Sequence, residues 1–313
     1  MKEQALSNGF ESANEFYTDP NTGAMVFRCR NDGETGGSTY PRSELREMLR
    51  AGNTSISTTG IGLNNWVFST SSQSNQDASG RVDGTMTATV TVDHVSTTGE
   101  SSKVGRVIIG QIHGSNDEPC RLYYRKLPRN TKGSIYIAHE PITGSEQWYE
   151  MIGSRSSSAS DPSDGIALGE KFSYEIKVVG NALTVTIMRA GKPDVVQTVD
   201  MSSSGYADDW MYFKAGVYNQ NNTGDAGDYC QVSFFALSNS PDDIDTVLSS
   251  GEDFAQEVNV YPNPAESFVT IDIGSSQFLN GTLTLFSIGG EIQEKVRITS
   301  KNMVLNLRGK TGL

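Results

Sequence analysis

Residues 172–191 read FSYEIKVVGNALTVTIMRAG, and this stretch decides the fold class of the chain. Apolar residues alternate with polar residues on both sides of Gly180 and Asn181. Alternation with a period of two is typical of a β-strand with one buried face, and a Gly-Asn pair between two such runs predicts a hairpin. The sequence therefore predicts a pair of antiparallel strands at this point of the chain.

Short alternating runs between turn-forming residues continue along most of the chain. Residues 84–95, GTMTATVTVDHV, place Met and Val on one face and threonines on the other. Glycine accounts for 32 of the 313 residues, and long stretches rich in Ala, Leu, Glu and Lys are absent. Many short strands joined by turns favour a sandwich or jelly roll. We therefore predict an all-β protein, with a β-jelly roll followed by a small C-terminal β-sandwich.

The charge balance and the hydropathy exclude two broad classes of protein. The chain of 33.9 kDa has 25 basic and 37 acidic residues, so its formal net charge is −12. A general nucleic-acid binder carries a basic face instead. The mean hydropathy is −0.40, and no apolar run approaches the roughly 20 residues that a membrane-spanning helix needs. We predict neither nucleic-acid binding nor membrane insertion.

The composition changes near residue 238. Residues 238–257 are acidic and contain Phe254 as their single aromatic residue, which is typical of a linker. Strand-like patterns return after this stretch. We therefore predict a main domain at residues 1–239, a linker at residues 240–257 and a small β domain at residues 258–313.

Three predicted strands carry polar side chains at alternate positions, and alternate residues of a strand share a face. A solvated outer face of a sheet is one explanation. A set of guanidinium, amide, imidazole and phenol groups also suits the binding of a carboxylate and the transfer of a proton. The residues are Arg42, Glu44 and Arg46 in the first strand, Gln111 and His113 in the second, and Tyr212, Lys214, Tyr218 and Gln220 in the third.

The cysteines and the remaining histidines favour structural roles. Cys29, Cys120 and Cys230 form no CxxC pair, so we expect one bridge or buried thiols. His94 and His139 stand in strand-like runs, where a hydrogen-bonded structural histidine is the more common explanation. Because the chain has three histidines in all, it offers no His-rich zinc site. We predict no metal and no cofactor.

The segments RSELRE (residues 42–47), QIH (residues 111–113) and YFKAGVYNQ (residues 212–220) resemble the three signature segments of polysaccharide lyase family 7, the alginate lyases. Their order and spacing are similar to those of the family, and the resemblance covers about residues 16–238. It implies a β-jelly roll of two packed antiparallel sheets. It also implies endolytic β-elimination of a 4-linked polyuronate such as alginate, without a required metal.

The resemblance implies a catalytic role for four residues. Arg42 and Gln111 would neutralise the carboxylate of the sugar, with help from His113, and so stabilise the enolate-like intermediate. His113 or Tyr218 would remove the proton at C5. Tyr218 would then protonate the departing glycosidic oxygen, a role that suits a tyrosine whose pKa is lowered by neighbouring cations.

The resemblance also implies residues that bind the sugar chain. Arg46, Lys214 and Gln220 would contact neighbouring sugars, and Glu44 would orient the arginines. Ile112, between Gln and His, is linked in this family to activity on guluronate-containing blocks. In a strand, however, Ile112 would point away from the sugar.

Other functions remain open from the sequence. One is a lyase for another polyuronate such as glucuronan, and another is a non-catalytic, lectin-like binder of acidic glycans, which would not need both His113 and Tyr218. A glycoside hydrolase needs two carboxylates, and Glu44 is the only carboxylate that we expect on the groove-facing side of the three motif strands. Residues 115–130, here called the basic segment, form either a solvated loop or a rim that attracts a polyanion to a negative protein.

The C-terminal part of the chain resembles the sorting domain of the type IX secretion system in Bacteroidetes. The similar segments are VYPNPAESFVTI (residues 260–271), LTLFSIGGEI (residues 283–292) and LNLRGKTGL (residues 305–313). This implies a secreted or surface-attached protein that uses the type IX secretion machinery, and we expect it to be a monomer. A small carbohydrate-binding sandwich is the alternative. An earlier Trp-Lys-Leu strand and a last sorting strand have no counterpart here, so we expect the natural protein to be longer.

Overall fold

The computed structural model describes residues 2–239, 258–261, 267–273, 282–286 and 292–307. The chain divides into two compact units, Met1–Ser250 and Gly251–Leu313. The predicted linker at residues 240–257 lies outside the described residues.

The first unit consists mainly of strands, which confirms the all-β prediction. Within the described ranges, no helix combines the length and the apolar character needed to cross a bilayer. In chain order, the elements are α1 (Glu3–Ser7), β1 (Phe16–Thr18), β2 (Met25–Arg30), β3 (Arg42–Arg46), β4 (Trp66–Val67), α2 (Gln73–Ala78), β5 (Arg81–Val82), β6 (Gly84–His94), β7 (Arg106–His113), β8 (Cys120–Arg125), β9 (Lys132–His139), β10 (Gln147–Ile152), β11 (Ile166–Ala167), β12 (Lys171–Val179), β13 (Ala182–Met188), β14 (Val195–Asp200), a 3₁₀ turn (Tyr206–Asp208), β15 (Tyr212–Asn219) and β16 (Tyr229–Ser238).

Most strands of the first unit form two large antiparallel sheets, and β4 and β5 form a separate parallel pair. The first sheet has the order β1-β2-β16-β6-β12-β13-β14. The second has the order β10-β9-β8-β7-β15-β3, and β11 pairs with β9. In the second sheet, β15 lies between β7 and β3, although the three strands are far apart in the sequence. The sheet therefore brings together segments that the chain order separates.

The hairpin predicted around Gly180 and Asn181 forms. β12 and β13 pair in register from Ser173 opposite Met188 to Val179 opposite Ala182, which leaves Gly180 and Asn181 in the turn. Gly180 has a φ of 59°, which a glycine adopts without strain. One face of each strand is buried, as the alternation requires.

The main core lies between the two sheets. Val90 and Ile176 come from the first sheet, Ile112 and Val217 come from the second, and all four are fully buried. Ile112 points into this core and therefore away from the outer face of its sheet. Because the apolar residues of β7 and β15 face inward, the polar residues at the alternate positions face outward.

The basic segment is not the loop that the sequence suggested. β8 runs through it, and Cys120, Leu122 and Tyr124 are fully buried in the core. The three apolar positions alternate with arginine and tyrosine, so the run is a half-buried strand. The alternation of apolar residues was missed in the sequence because the segment contains many charged residues.

The three cysteines are free thiols, and all three are buried. Cys29 and Cys230 stand opposite each other on neighbouring strands β2 and β16. Burial raises the pKa of Cys29 to about 12 and that of Cys120 to about 12. The thiols therefore stay protonated and pack as apolar groups.

A bulge in β15 shapes the outer face of the second sheet. The register with β7 shifts between Ala215 and Tyr218. Gly216, within the bulge, has a φ of 140° and stands opposite Glu44. A Cβ atom at this position would lie 2.5 Å from the carbonyl oxygen of Ser43. Only glycine fits at this position.

The described residues of the second unit form two small antiparallel sheets. An apolar cluster of Val269, Ile271, Ile298 and Leu305 holds its described part together. The first sheet has the order β17 (Val258–Tyr261), β18 (Phe268–Ile273) and β21 (Asn302–Asn306), and the second pairs β19 (Thr282–Phe286) with β20 (Ile292–Arg297).

Candidate active site

Neighbouring strands bring the three sequence motifs onto one face. Lys214 of β15 stands opposite Arg46 of β3 on one side and opposite Gln111 of β7 on the other. Tyr218 stands opposite Arg42. The register thus places these five side chains side by side on the outer face of the second sheet.

Glu44 is the centre of a hydrogen-bonded network on this face. Its carboxylate accepts a hydrogen bond from Lys214 Nζ at 2.5 Å and one from Gln111 Nε2. Arg42 Nη1 lies 3.7 Å from the same carboxylate. The Glu44 side chain is 3% exposed, and Gln111 is fully buried. Because the network is shielded from water, its electrostatic interactions are strong and the cations are held in place.

Arg42 stacks on the ring of Tyr218, with 3.8 Å from the guanidinium carbon to the ring centroid. Burial raises the pKa of Tyr218, and the Arg42 cation opposes this shift only in part. The neighbouring cations do lower the pKa of Tyr218, but burial outweighs them and the net shift is upward. The phenol keeps its proton and can donate it.

His113 is held in one tautomer. Its Nδ1 lies 2.7 Å from the carbonyl oxygen of Gly114, so Nδ1 carries the proton and donates it to that oxygen. The imidazole stacks on the ring of Tyr212, with 5.0 Å between the centroids. Burial lowers the pKa of His113, and the cations Lys214 and Arg42 lower it further. The ring is therefore neutral, and Nε2 has a free lone pair.

Arg46 has partners different from those of Arg42. It stacks on Tyr212 at 3.7 Å and donates hydrogen bonds to the carbonyl oxygen of Thr58 and to Asn65. Among the ion pairs of the described residues, Glu44 pairs with Arg42 and Lys214 but not with Arg46. The prediction that Glu44 orients both arginines is wrong for Arg46.

Gln220 lies just beyond the end of β15. Its backbone N–H donates to the carbonyl oxygen of Arg106 at 3.1 Å, and the residue is 4% exposed. Within the described part of the chain, its Nε2 has no hydrogen-bond partner. Its role in binding sugar stays a prediction.

A group of glutamates beside His113 was not expected from the sequence. Glu118 Oε1 lies 3.5 Å from His113 Nε2. Arg121 lies 3.9 Å from Glu118 and 3.3 Å from Glu140, and it forms an ion pair with Glu146. These glutamates lie outside the three motif strands, on which Glu44 is the only carboxylate of this face. The one signal in the sequence was a glutamate five residues after His113, in the turn between β7 and β8.

The arginines of the basic segment are engaged within the protein. Arg125 is 5% exposed, and it donates at 2.6 Å to the carbonyl oxygen of Arg155 and at 2.6 Å to that of Ser101. The glutamates described above surround Arg121. These two residues therefore do not form a basic rim.

The histidines outside the site have structural partners. His139 is buried, with Nδ1 at 2.8 Å from the Pro119 carbonyl and Nε2 at 2.6 Å from Ser204 Oγ. Nδ1 of His94 lies 2.8 Å from the carbonyl oxygen of Tyr229. In the parts of the chain that the structure describes, no three His, Cys, Asp or Glu residues form a group that could hold a metal ion.

Comparisons with known proteins identify the family of the chain. A family model described as alginate lyase matches residues 1–241. The chain belongs to the family 7 alginate lyases. A curated alginate lyase from Klebsiella pneumoniae is 55% identical over 250 residues, which cover 76% of this chain and 81% of that protein.

Solved structures extend the comparison with this alginate lyase. The crystal structure of the alginate lyase from Klebsiella pneumoniae gives a TM-score of 0.75 at 54% identity and covers 77% of this chain and 88% of that one. The family 7 alginate lyase A1-II', in a tyrosine-to-phenylalanine variant with product GGG, gives a TM-score of 0.53 at 26% identity and covers 76% and 87%. The protein is thus an enzyme, a polysaccharide lyase, and the jelly-roll prediction is confirmed.

Proposed function

We propose that this alginate lyase cleaves alginate within the chain by β-elimination, with a preference for guluronate-containing blocks. The observation that carries the proposal is the convergence of Arg42, Gln111, His113 and Tyr218 on one face of a sheet, around the Glu44 network. The roles below follow from this arrangement and from the chemistry of uronates.

The first requirement of the reaction is to make the C5 proton removable. This proton is very weakly acidic while the adjacent carboxylate carries its full negative charge. Arg42 keeps 28% of its side chain exposed, so its guanidinium can bind the sugar carboxylate. Gln111 and Lys214 stand beside it, and positive charge here stabilises the enolate-like intermediate more than the ground state.

The second requirement is a base and an acid with suitable protonation states. His113 is neutral, with its lone pair on Nε2, and is the base for C5. Tyr218 retains its proton and is the acid for the glycosidic oxygen at C4. The elimination breaks the C5–H, C4–O and Tyr218 O–H bonds and forms a C4=C5 double bond, an N–H bond on Nε2 and an O–H bond on the departing oxygen. The phenolate of Tyr218 then regains a proton from solvent.

The separate base and acid favour guluronate. In a guluronate unit the C5 hydrogen and the C4 oxygen lie on opposite faces of the ring, whereas in mannuronate they lie on the same face. Two residues suit the first geometry, and a single tyrosine with a lowered pKa would suit the second. Tyr218 has a raised pKa, which disfavours it as a base. The complex of A1-II' with GGG is in line with this preference.

The outer face of the sheet supports endolytic cleavage, because it continues on both sides of the site. Arg46 is partly exposed on β3, at one side of the site. Trp148 is partly exposed on β10, at the other edge of the sheet, and packs on the buried rings of Tyr123 and Tyr136. A polymer crossing the sheet could therefore contact Arg46 on one side of the scissile bond and Trp148 on the other.

One time course tests the mode and the preference together. Separated guluronate and mannuronate blocks are incubated with the enzyme, while viscosity and the ultraviolet absorbance of the unsaturated product are followed. We expect viscosity to fall while absorbance has barely risen, and guluronate blocks to react faster. Product released only as the smallest unit would overturn the endolytic mode, and faster cleavage of mannuronate blocks would overturn the preference.

The same assay separates the rival functions. A lectin-like binder would retain alginate without any rise in absorbance. A lyase for another polyuronate would release more unsaturated product from glucuronan than from alginate. We expect turnover of alginate and little turnover of glucuronan. The reason is that a separate base and acid suit guluronate, whose C5 hydrogen and C4 oxygen lie on opposite faces of the ring.

We also propose that residues 258–313 are part of a sorting domain for the type IX secretion system, that residues 1–239 are the catalytic domain, and that the enzyme is secreted or surface-attached. The support is the resemblance of three segments and the division into two units. A reporter with an export signal and the C-terminal part of the protein from residue 240 onward should reach the cell surface in a host with this system. Equal export from a mutant host without the system would contradict the proposal.

A further inference from the structure

Glu118 has no role in the mechanism above, yet it is the acidic group beside the base. Its Oε1 lies 3.5 Å from Nε2 of His113, the atom that receives the C5 proton. The other ring nitrogen is occupied by the carbonyl oxygen of Gly114. Nε2 is therefore the only atom of the imidazole that can exchange a proton, and Glu118 is the carboxylate next to it.

The position of Glu118 is fixed by its surroundings. Its side chain is 16% exposed, and its carbonyl oxygen accepts from the N–H of Glu140. The N–H of Gly114 donates to the carbonyl oxygen of Asp117, which closes the turn that carries Glu118. A short, closed turn holds the carboxyl group near the imidazole without a large loss of side-chain entropy on substrate binding.

Charged and titratable groups face Glu118 from every element around it. Burial and the side chain of Glu140 together raise its pKa to about 7, against the opposing effect of Arg121 and Lys214. The pKa of Glu140 is lowered, so the pair keeps its shared proton on Glu118. The facing groups are His113 on β7, Asp117 in the turn, Arg121 and Tyr123 on β8, Glu140 after β9, Glu146 through Arg121, Tyr206 in the 3₁₀ turn, and Tyr212, Lys214 and Tyr218 on β15.

We propose that Glu118 acts through His113. After each elimination, Glu118 takes the proton from Nε2 of His113 and so returns the imidazole to its base form. The inference rests on the proposed role of His113 as the base for C5. In the step, the Nε2–H bond breaks, an O–H bond forms on Glu118, and the imidazole keeps its Nδ1 proton. Glu118 then loses this proton to solvent.

The direction of this transfer follows from the two environments. Burial and neighbouring cations lower the pKa of His113, whereas burial and Glu140 raise the pKa of Glu118. The proton therefore moves from the imidazolium to the carboxylate. Because Glu118 must be ionised to accept it, kcat of the wild-type enzyme should rise as the pH increases through about 7.

Glu118→Gln tests the proposal, because it keeps the size and polarity of the side chain but cannot accept a proton. We expect kcat on alginate to fall about tenfold at high pH, with KM nearly unchanged, because only the reset of the base is lost. The rise of kcat near neutral pH should disappear, and the remaining rise should lie at lower pH, where His113 itself titrates.

Three further variants separate proton transfer from a structural role. Glu140→Gln removes the carboxylate that raises the pKa of Glu118, so the rise of kcat should move to lower pH but persist. Glu146→Gln removes a charge from the same arginine without contact to His113, and its profile should match the wild type. In Glu118→Ala, added acetate should restore part of kcat, which it cannot do for a merely structural defect.

The outcomes distinguish this inference from the proposed function. A wild-type enzyme without ultraviolet-absorbing product would overturn both. If the wild type turns over and Glu118→Gln has the same kcat and the same pH profile, only the inference is overturned. A folded Glu118→Ala variant that is slow and does not respond to acetate would also overturn it.

Discussion

At the scale of single residues, Glu44 holds the site together. Its buried carboxylate joins Lys214, Gln111 and Arg42, which come from three separate strands. Lys214 is 9% exposed, and burial lowers its pKa although Glu44 favours the charged form. Leaving a buried cation without its carboxylate partner is costly. Glu44 therefore contributes to the stability of the fold as well as to substrate binding.

Glu44→Ala should therefore lower the free energy of unfolding by about 3 kcal/mol, because it leaves a buried charge without its partner. Urea unfolding followed by fluorescence measures this change. Glu100→Ala is the matched control, since Glu100 pairs with Lys103 at 3.3 Å but is 57% exposed. If both variants lose the same stability, the buried network is not the stabilising element that we describe.

The sequence predicted the residues of the site where they lie on strands and missed those in turns. Alternation alone puts Arg42, Glu44 and Arg46 on one face, and the structure agrees. Glu118 escaped prediction because a turn has no fixed period, so nothing in the sequence shows where its side chain points. The raised pKa of Tyr218 also escaped, because burial depends on packing that the sequence does not show.

At the scale of elements, the bulge in β15 sets the distance between the two ends of the site. It lies between Lys214, beside Gln111, and Tyr218, beside Arg42. The conformation of Gly216 and its close approach to β3 require the absence of a side chain. The glycine therefore positions Tyr218 relative to the groups that bind the carboxylate.

Gly216→Ala should force β15 away from β3 and move Tyr218. We expect a loss of roughly 1–3 kcal/mol of stability from backbone strain and a fall in kcat of about a hundredfold from misplacement of the acid. Thermal unfolding and initial rates on alginate measure the two effects. Gly227→Ala, where an added Cβ meets nothing within 4 Å, should change neither; full activity of Gly216→Ala would contradict the role of the bulge.

Hairpins and alternating strands were predictable from local patterns, whereas sheet order was not. The β12–β13 hairpin follows from two alternating runs and their Gly-Asn turn. The pairing of β15 with β7 and β3 joins segments that are distant in sequence, so no local pattern reveals it. The resemblance to a known family supplied that information, since the three motifs imply a shared sheet.

At the scale of the whole molecule, the net charge opposes the substrate. The chain carries a formal charge of −12 and acts on a polyanion. The arginines that could attract the polymer from a distance are in part paired with carboxylates, as Arg121 is. The enzyme and the polymer therefore repel each other as they associate. At 0.1 M salt, this repulsion is largely screened beyond about 10 Å.

The value of kcat/KM for alginate should rise about two- to tenfold as salt is added to a dilute buffer, because screening weakens this repulsion. kcat at saturating substrate should change little. The measurement is a series of initial rates at increasing sodium chloride concentration and fixed pH. A steady fall of kcat/KM from the lowest salt would show that local positive charge dominates the encounter.

The central claim is that Tyr218 protonates the leaving oxygen within a site that neutralises the sugar carboxylate. Tyr218→Phe keeps the ring on which Arg42 stacks and removes only the proton donor. Its most direct test is the rate of ultraviolet-absorbing product from alginate, together with alginate binding by calorimetry. We predict that kcat falls about a hundredfold or more while binding is retained; turnover close to that of the wild type would contradict the account.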